Sequence, residues 1–142
     1  MAFSSNPSLH LQPPASGSGR RLRLAGGPRA PERARAWLGN VTGWLPGEAV
    51  RTLELLVSEL VNNAVRHGGA GGEQLIELEL RAIEGGVGVV VSDPGPGFAP
   101  SSRTSPIEDP GGWGLVLVDR MAARWGVVHD TRTRVWFELA AA

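Results

Sequence analysis

The sequence predicts an α+β two-layer sandwich: a mixed, mostly antiparallel sheet with about three helices on one face. Two observations carry this. After a first single strand and two helices, the strand-like segments occur in adjacent pairs joined by short glycine or polar turns, and one helix lies between the two pairs, so helices do not alternate with single strands throughout. Hairpins with helices gathered on one side make this architecture. A chain of 142 residues holds one such core.

Residues 1–19 contain ten Ser, Pro or Gly and no Asp, Glu, Lys or Arg, too little apolar surface to offset the entropy of ordering, so a disordered tail is expected before a domain spanning 20–142. From Arg20, Leu22 and Leu24 alternate with Arg21 and Arg23 as in an edge strand. Pro31 opens a short helix over Glu32 to Gly39, with an acid early and glycine late. A longer helix follows from about Pro46 to His67. At 100° per residue Leu53, Leu56, Val57, Leu60 and Ala64 share one arc and face a core. Gln74 to Ala82 and Val87 to Val91 form a hairpin through Glu84-Gly85-Gly86. Residues 94–112, rich in Pro, Gly and Ser, are too long for a plain connection and are a candidate lid. Helical spacing resumes over Leu115 to Ala123, and Trp125 to His129 with Arg134 to Leu139 make a closing hairpin around Asp130 to Arg132.

Composition removes several chemistries. All 14 basic residues are arginine, and lysine, cysteine and tyrosine are absent. A lysine-bearing phosphate loop, a Schiff-base enzyme and a lysine-dependent eukaryotic-type kinase are excluded, as are thiol nucleophiles, disulfides and cysteine zinc sites. The 14 acids cancel the arginines, so no net field draws the chain to nucleic acid or an anionic membrane. No apolar run approaches the roughly 18 residues of a membrane span, and the start lacks the order of a signal peptide. A cytoplasmic protein without direct nucleic-acid or membrane partners is expected.

Three constellations carry the candidate chemistry. Glu59, Asn63 and His67 are spaced by four on the long helix and form a stripe at the margin of the apolar arc, while Asn62 projects away from it. Such a carboxylate and carboxamide either meet a ligand or are ordinary boundary residues. Ser92-Asp93-Pro94-Gly95-Pro96-Gly97-Phe98 follows a strand directly: an acid on fixed backbone, then glycines that let a flat ligand approach, or alternatively a plain Pro-Gly turn. Gly111-Gly112-Trp113-Gly114-Leu115 opens a helix, where bare N–H groups and the helix dipole suit phosphate, or where glycines simply make a joint.

Taken in order, Glu59 to His67, Asp93 to Phe98 and Gly112 to Leu115 resemble the three nucleotide boxes of the GHKL (histidine-kinase-like) ATPase superfamily. Ser58-Glu59-Leu60, Trp125-Gly126-Val127 and Val135-Trp136-Phe137-Glu138-Leu139 are similar to its small branch, the anti-sigma factor serine/threonine kinases. The resemblance covers about residues 20–140.

It implies a Bergerat ATP-binding fold and an ATP site with Mg²⁺. Asn63 would be the protein ligand of the metal, and Asp93 would receive the adenine amino group. Glu59 would be the general base, Gly95 and Gly97 would make room for the base, and Gly112, Gly114 and Leu115 would line the phosphates. A magnesium ion suits one hard carbonyl oxygen, and an ionised carboxylate selects an amine over a keto group. With no lysine present, any cation facing the γ-phosphate must be an arginine, and Arg103 is the candidate, or else a solvated residue of the lid. Arg66 is expected to face solvent, His67 to cap its helix, and Trp37, Trp125 and Trp136 to pack. The implied function is phosphorylation of an anti-anti-sigma (STAS-type) protein together with sigma-factor binding, in a possible homodimer. The alternative is a module that binds ATP and sequesters its partner without phosphotransfer.

Overall fold

The computed structural model describes residues 19–67, 75–94, 113–129 and 131–141, with His67, Trp113 and Gly114 described by their backbone alone. The expected tail therefore lies outside the described residues apart from Gly19, and the expected lid apart from Pro94. In chain order the elements are β1 (Arg20–Ala25), α1 (Ala30–Val41), α2 (Gly47–His67), β2 (Leu75–Ile83), β3 (Gly86–Asp93), α3 (Trp113–Met121), β4 (Arg124–His129) and β5 (Thr133–Ala140). The strands form one sheet in the order β1-β2-β3-β5-β4, with every neighbouring pair antiparallel. The expected α+β architecture forms, and its sheet contains no parallel pairing among the described residues.

Element ends differ from the sequence pattern for local reasons. Helix α1 takes Pro31 into its first turn and passes through Gly39 to Val41. There the Thr42 hydroxyl and N–H donate to the Leu38 carbonyl at 2.6 and 3.1 Å, capping the helix end. Strand β3 continues through Ser92 and Asp93 because β5 starts at Thr133 and supplies partners for both. Helix α3 stops at Met121, since the Ala123 N–H turns to the Glu138 carbonyl at 2.8 Å.

The helices cover one face of the sheet. Leu53, Leu56, Val57, Leu60, Val61 and Ala64 of α2 are buried against Ile76, Leu78 and Leu80 of β2, Val87, Val89 and Val91 of β3, and Val135, Phe137 and Leu139 of β5. The arc expected for α2 is thus its buried stripe. On the opposite face Val90, Val128 and Trp136 form a separate small cluster. Its Trp136 ring lies 5.4 Å below the Arg124 guanidinium, a cation–π contact, and is only 1% exposed.

The hairpin joining β2 and β3 turns at Glu84-Gly85, with Gly85 at φ 77°, a conformation that glycine adopts without strain. Gly86, next in line, pairs with Ala140, and a Cβ there would collide with the Leu139 carbonyl oxygen. At Gly88 a Cβ would make ordinary contact with Ile83 Cγ2 at 3.6 Å. Gly86→Ala is therefore expected to lower stability by about 2–3 kcal/mol, and Gly88→Ala to change it by less than about 1 kcal/mol, in urea unfolding of the two variants.

Candidate functional site

Helix α2 carries both the core stripe and the polar groups beside it. Asn63 follows Leu56 by seven positions, two helical turns, and so shares the buried row: it is 6% exposed. Its side-chain nitrogen Nδ2 is buried and has no hydrogen-bonding partner among the described residues. Such a group costs about 1–3 kcal/mol when left unpaired. Glu59, one turn earlier, is half-buried, and among the described residues no ion pair engages it. Asn62 and Arg66 are exposed, as the helical arithmetic expects, while the side chain of His67 lies outside the described set. Arg35 of α1 donates from Nη1 to the Ser58 hydroxyl at 3.1 Å, tying α1 to α2 beside Glu59.

The second group sits at the sheet end where β3 finishes. Asp93 is 7% exposed and lies opposite Thr133 of β5, which is 3% exposed. Thr133 is in turn opposite His129, the last residue of β4, whose Nδ1 is 3.4 Å from the Thr133 hydroxyl. Asp93 and Thr133 continue the parity of Val89 and Val91 and of Val135 and Phe137, so both belong to the helix-covered face. Thr133 and Arg132 are absent from the sequence-derived candidates. Alternation could have found Thr133, because stepping back by two from Leu139, Phe137 and Val135 reaches it. Arg132 has no such signal. Its Nη2 donates to the Leu75 carbonyl at 3.1 Å and to the Ser92 carbonyl at 3.3 Å, a connection across three strand ends.

The third group is only partly described. Gly95, Gly97, Arg103 and Gly112 lie outside the described residues. Gly114 falls in the first turn of α3, and Leu115 is half-buried and packs against the core. The far end of α3 is anchored by Val118, fully buried, and by the Trp125 indole, which donates to Asp119 Oδ1 at 2.8 Å. Trp125 is buried and Trp37 half-buried against the same core, which bears out their expected packing.

Among the described residues no three His, Cys, Asp or Glu side chains converge as a metal site. A magnesium ion beside Asn63 would therefore draw on phosphate oxygens and water for its other ligands, which is how this ion is usually held next to a nucleotide. Of the two ends of the Asn63 carboxamide only Oδ1 could serve such an ion, since the unpaired Nδ2 is a donor.

Residues 27–139 match the family model of the histidine kinase-like ATPase domain. The chain belongs to this family. Membership implies ATP binding, and the fold agrees. The chain superposes with a TM-score of 0.67 and 20% identity on a crystal structure of the RsbU and RsbW domains of a Mycobacterium tuberculosis protein, over 89% of this chain and 33% of that one. It thus spans about a third of that protein's length. The Acinetobacter baumannii histidine kinase AdeS aligns over 65% of this chain and 47% of its own, with 15% identity and a TM-score of 0.49. No curated protein matches the sequence. Among the described residues no helix is long and apolar enough to cross a membrane.

The unpaired Nδ2 of Asn63 contributes no hydrogen bond to the fold among the described residues. Asn63→Leu, similar in volume, is expected to leave the unfolding free energy unchanged or to raise it by up to about 1 kcal/mol when measured in urea without nucleotide. A carboxamide that held the fold together would instead cost about 1–3 kcal/mol on replacement.

Proposed function

We propose that this histidine kinase-like ATPase domain is an ATP-dependent serine/threonine kinase. In this reading it transfers the γ-phosphate of ATP to an anti-anti-sigma (STAS-type) protein and acts as an anti-sigma factor. The observation that carries the catalytic reading is the buried Asn63 carboxamide with its unpaired end, one turn beyond the half-buried Glu59 carboxylate. The small-branch assignment rests on Ser58-Glu59-Leu60 and on the Trp125 to Val127 and Val135 to Leu139 segments of the sequence.

Asn63 turns about its last side-chain bond to offer Oδ1 to Mg²⁺, which when bound neutralises phosphate charge. Asp93, an acceptor on a strand end, takes the adenine amino hydrogen and disfavours a 6-keto base. Gly95 and Gly97 give the base room, and Gly112, Gly114 and Leu115 lie against the phosphates. Arg103 faces the γ-phosphate. Glu59 accepts the proton of the substrate hydroxyl as its oxygen bonds to the γ-phosphorus and the bond to the ADP oxygen breaks, with ADP leaving. A homodimer and a cytoplasmic setting complete the reading.

Calorimetric titration tests the site first. ATP and ADP with Mg²⁺ are expected to bind, GTP to bind at least tenfold more weakly, and Asp93→Asn and Asn63→Ala each to lower ATP affinity by about tenfold or more. No binding at millimolar nucleotide would overturn the site. Incubation with labelled ATP and a cognate STAS-type partner then tests transfer. Glu59→Ala is expected to cut phosphate transfer by about 10²–10⁴-fold while ATP still binds. Tight ATP binding with no transfer to any cognate partner would instead establish a sequestering module.

A further inference from the structure

The ladder between β2 and β3 ends at a chemical gap. The two-residue turn Glu84-Gly85 makes Ile83 and Gly86 its closing hydrogen-bonded pair, so every second pair along the hairpin is of the same kind: Arg81 with Gly88, Glu79 with Val90, Glu77 with Ser92. The next in that series would set Leu75 against Pro94. Proline has no N–H, so the Leu75 carbonyl cannot be capped from β3. Arg132 fills the gap, since its Nη2 donates to that carbonyl at 3.1 Å. The same nitrogen donates to the Ser92 carbonyl at 3.3 Å, and this carbonyl belongs to the peptide that ends in the Asp93 nitrogen. One guanidinium nitrogen thus replaces the missing backbone donor and holds the peptide plane on which Asp93 stands.

We infer that Arg132 is a positioning residue for base recognition: by substituting for the N–H that Pro94 lacks, it fixes the Asp93 carboxylate and so sets the preference for a 6-amino over a 6-keto purine nucleotide. The inference rests on the reading of Asp93 as the adenine acceptor. Arg132 itself touches no ligand and acts through the Ser92–Asp93 peptide and the start of β2. Because both hydrogen bonds leave from one nitrogen, an ammonium can reproduce them, and because the gap is a missing N–H, a backbone change can refill it.

The test compares ATP with inosine triphosphate by calorimetry with Mg²⁺, using the full chain and following melting in parallel. Asp93→Asn reports on the underlying reading: if it leaves the ATP preference intact, Asp93 is not the acceptor, and both the reading and the inference fall. With that control in place, Arg132→Met is expected to cut the ATP-to-inosine preference by about tenfold, and Arg132→Lys to keep most of it. Pro94→Ala in the Arg132→Met background restores a backbone donor and is expected to recover the preference. If Arg132→Met does not fold, Arg132→Gln, too short to span both carbonyls, takes its place with the same expectations. Wild-type preference in the Arg132 variant, or no recovery on adding Pro94→Ala, would overturn the inference while leaving Asp93 in its role.

Discussion

The seam between α2 and the sheet is the constraint on which the remaining structure depends. A helix that buries Leu53, Leu56, Val57, Leu60 and Val61 cannot rotate about its axis without exposing that stripe, and each such side chain contributes about 1.5–3 kcal/mol by leaving water. Rotation is thereby fixed, and with it the direction of every other side chain on the helix. Asn63 is carried into the seam by residues that are themselves apolar, at a cost that a purely structural helix would avoid by placing leucine there. The helix therefore combines a stabilising stripe with one destabilising polar group, an arrangement typical of positions kept for a ligand.

The legible parts of this fold were those written in period. The α2 stripe, the alternation of β2 and β5 and the glycine hairpin are repeated signals, each carried by several residues, and they predict correctly the burial of Leu53, Leu56, Val57, Leu60 and Ala64 and the exposure of Asn62 and Arg66. Boundaries were less legible, because they depend on partners distant in sequence. Ser92 and Asp93 stay in β3 only because Arg134 and Thr133 lie opposite them, and α3 ends where Ala123 meets Glu138. The motifs mark Asn63 and Asp93 as candidate site residues, and both are buried polar groups. Arg132 is invisible to any local pattern, since the Leu75 and Ser92 carbonyls to which it donates lie 57 and 40 positions away.

The sheet face that carries none of the described helices shows how a two-layer fold treats its second side. Arg21 and Arg23 of β1 pair with Glu79 and Glu77 of β2, Arg81 pairs with Glu79 within β2, and Arg124 of β4 pairs with Glu138 of β5. The arginines of β1 in these pairs are exposed, and such pairs contribute little each, whereas Arg81 and Glu79 are both largely buried and joined through Nε and Nη2. Their aliphatic stems have another use, since long arginine side chains shield apolar surface while keeping their charge in water. Arg124 over Trp136 is the clearest case. A chain without lysine relies on planar guanidinium groups for this, and these stack on an indole face more readily than an ammonium does.

The two ends of the sheet differ in kind. One end gathers Leu75, Asp93, Thr133 and His129; the other holds the Glu84-Gly85 turn, the close approach of Gly86 to β5, and a bond from the Ala141 N–H to the Gly85 carbonyl at 2.9 Å. Arg20, the first residue of β1, lies nearer this second end than Ala25 does, since it pairs with Leu80 while Ala25 pairs with Leu75. Strand β5 thus finishes at the end opposite Asp93, and β1 starts away from Asp93. A sequence fused after β5 would be tethered at the end opposite Asp93. The same body can then serve alone or, as in the much longer mycobacterial chain whose fold it shares, as one module on a string.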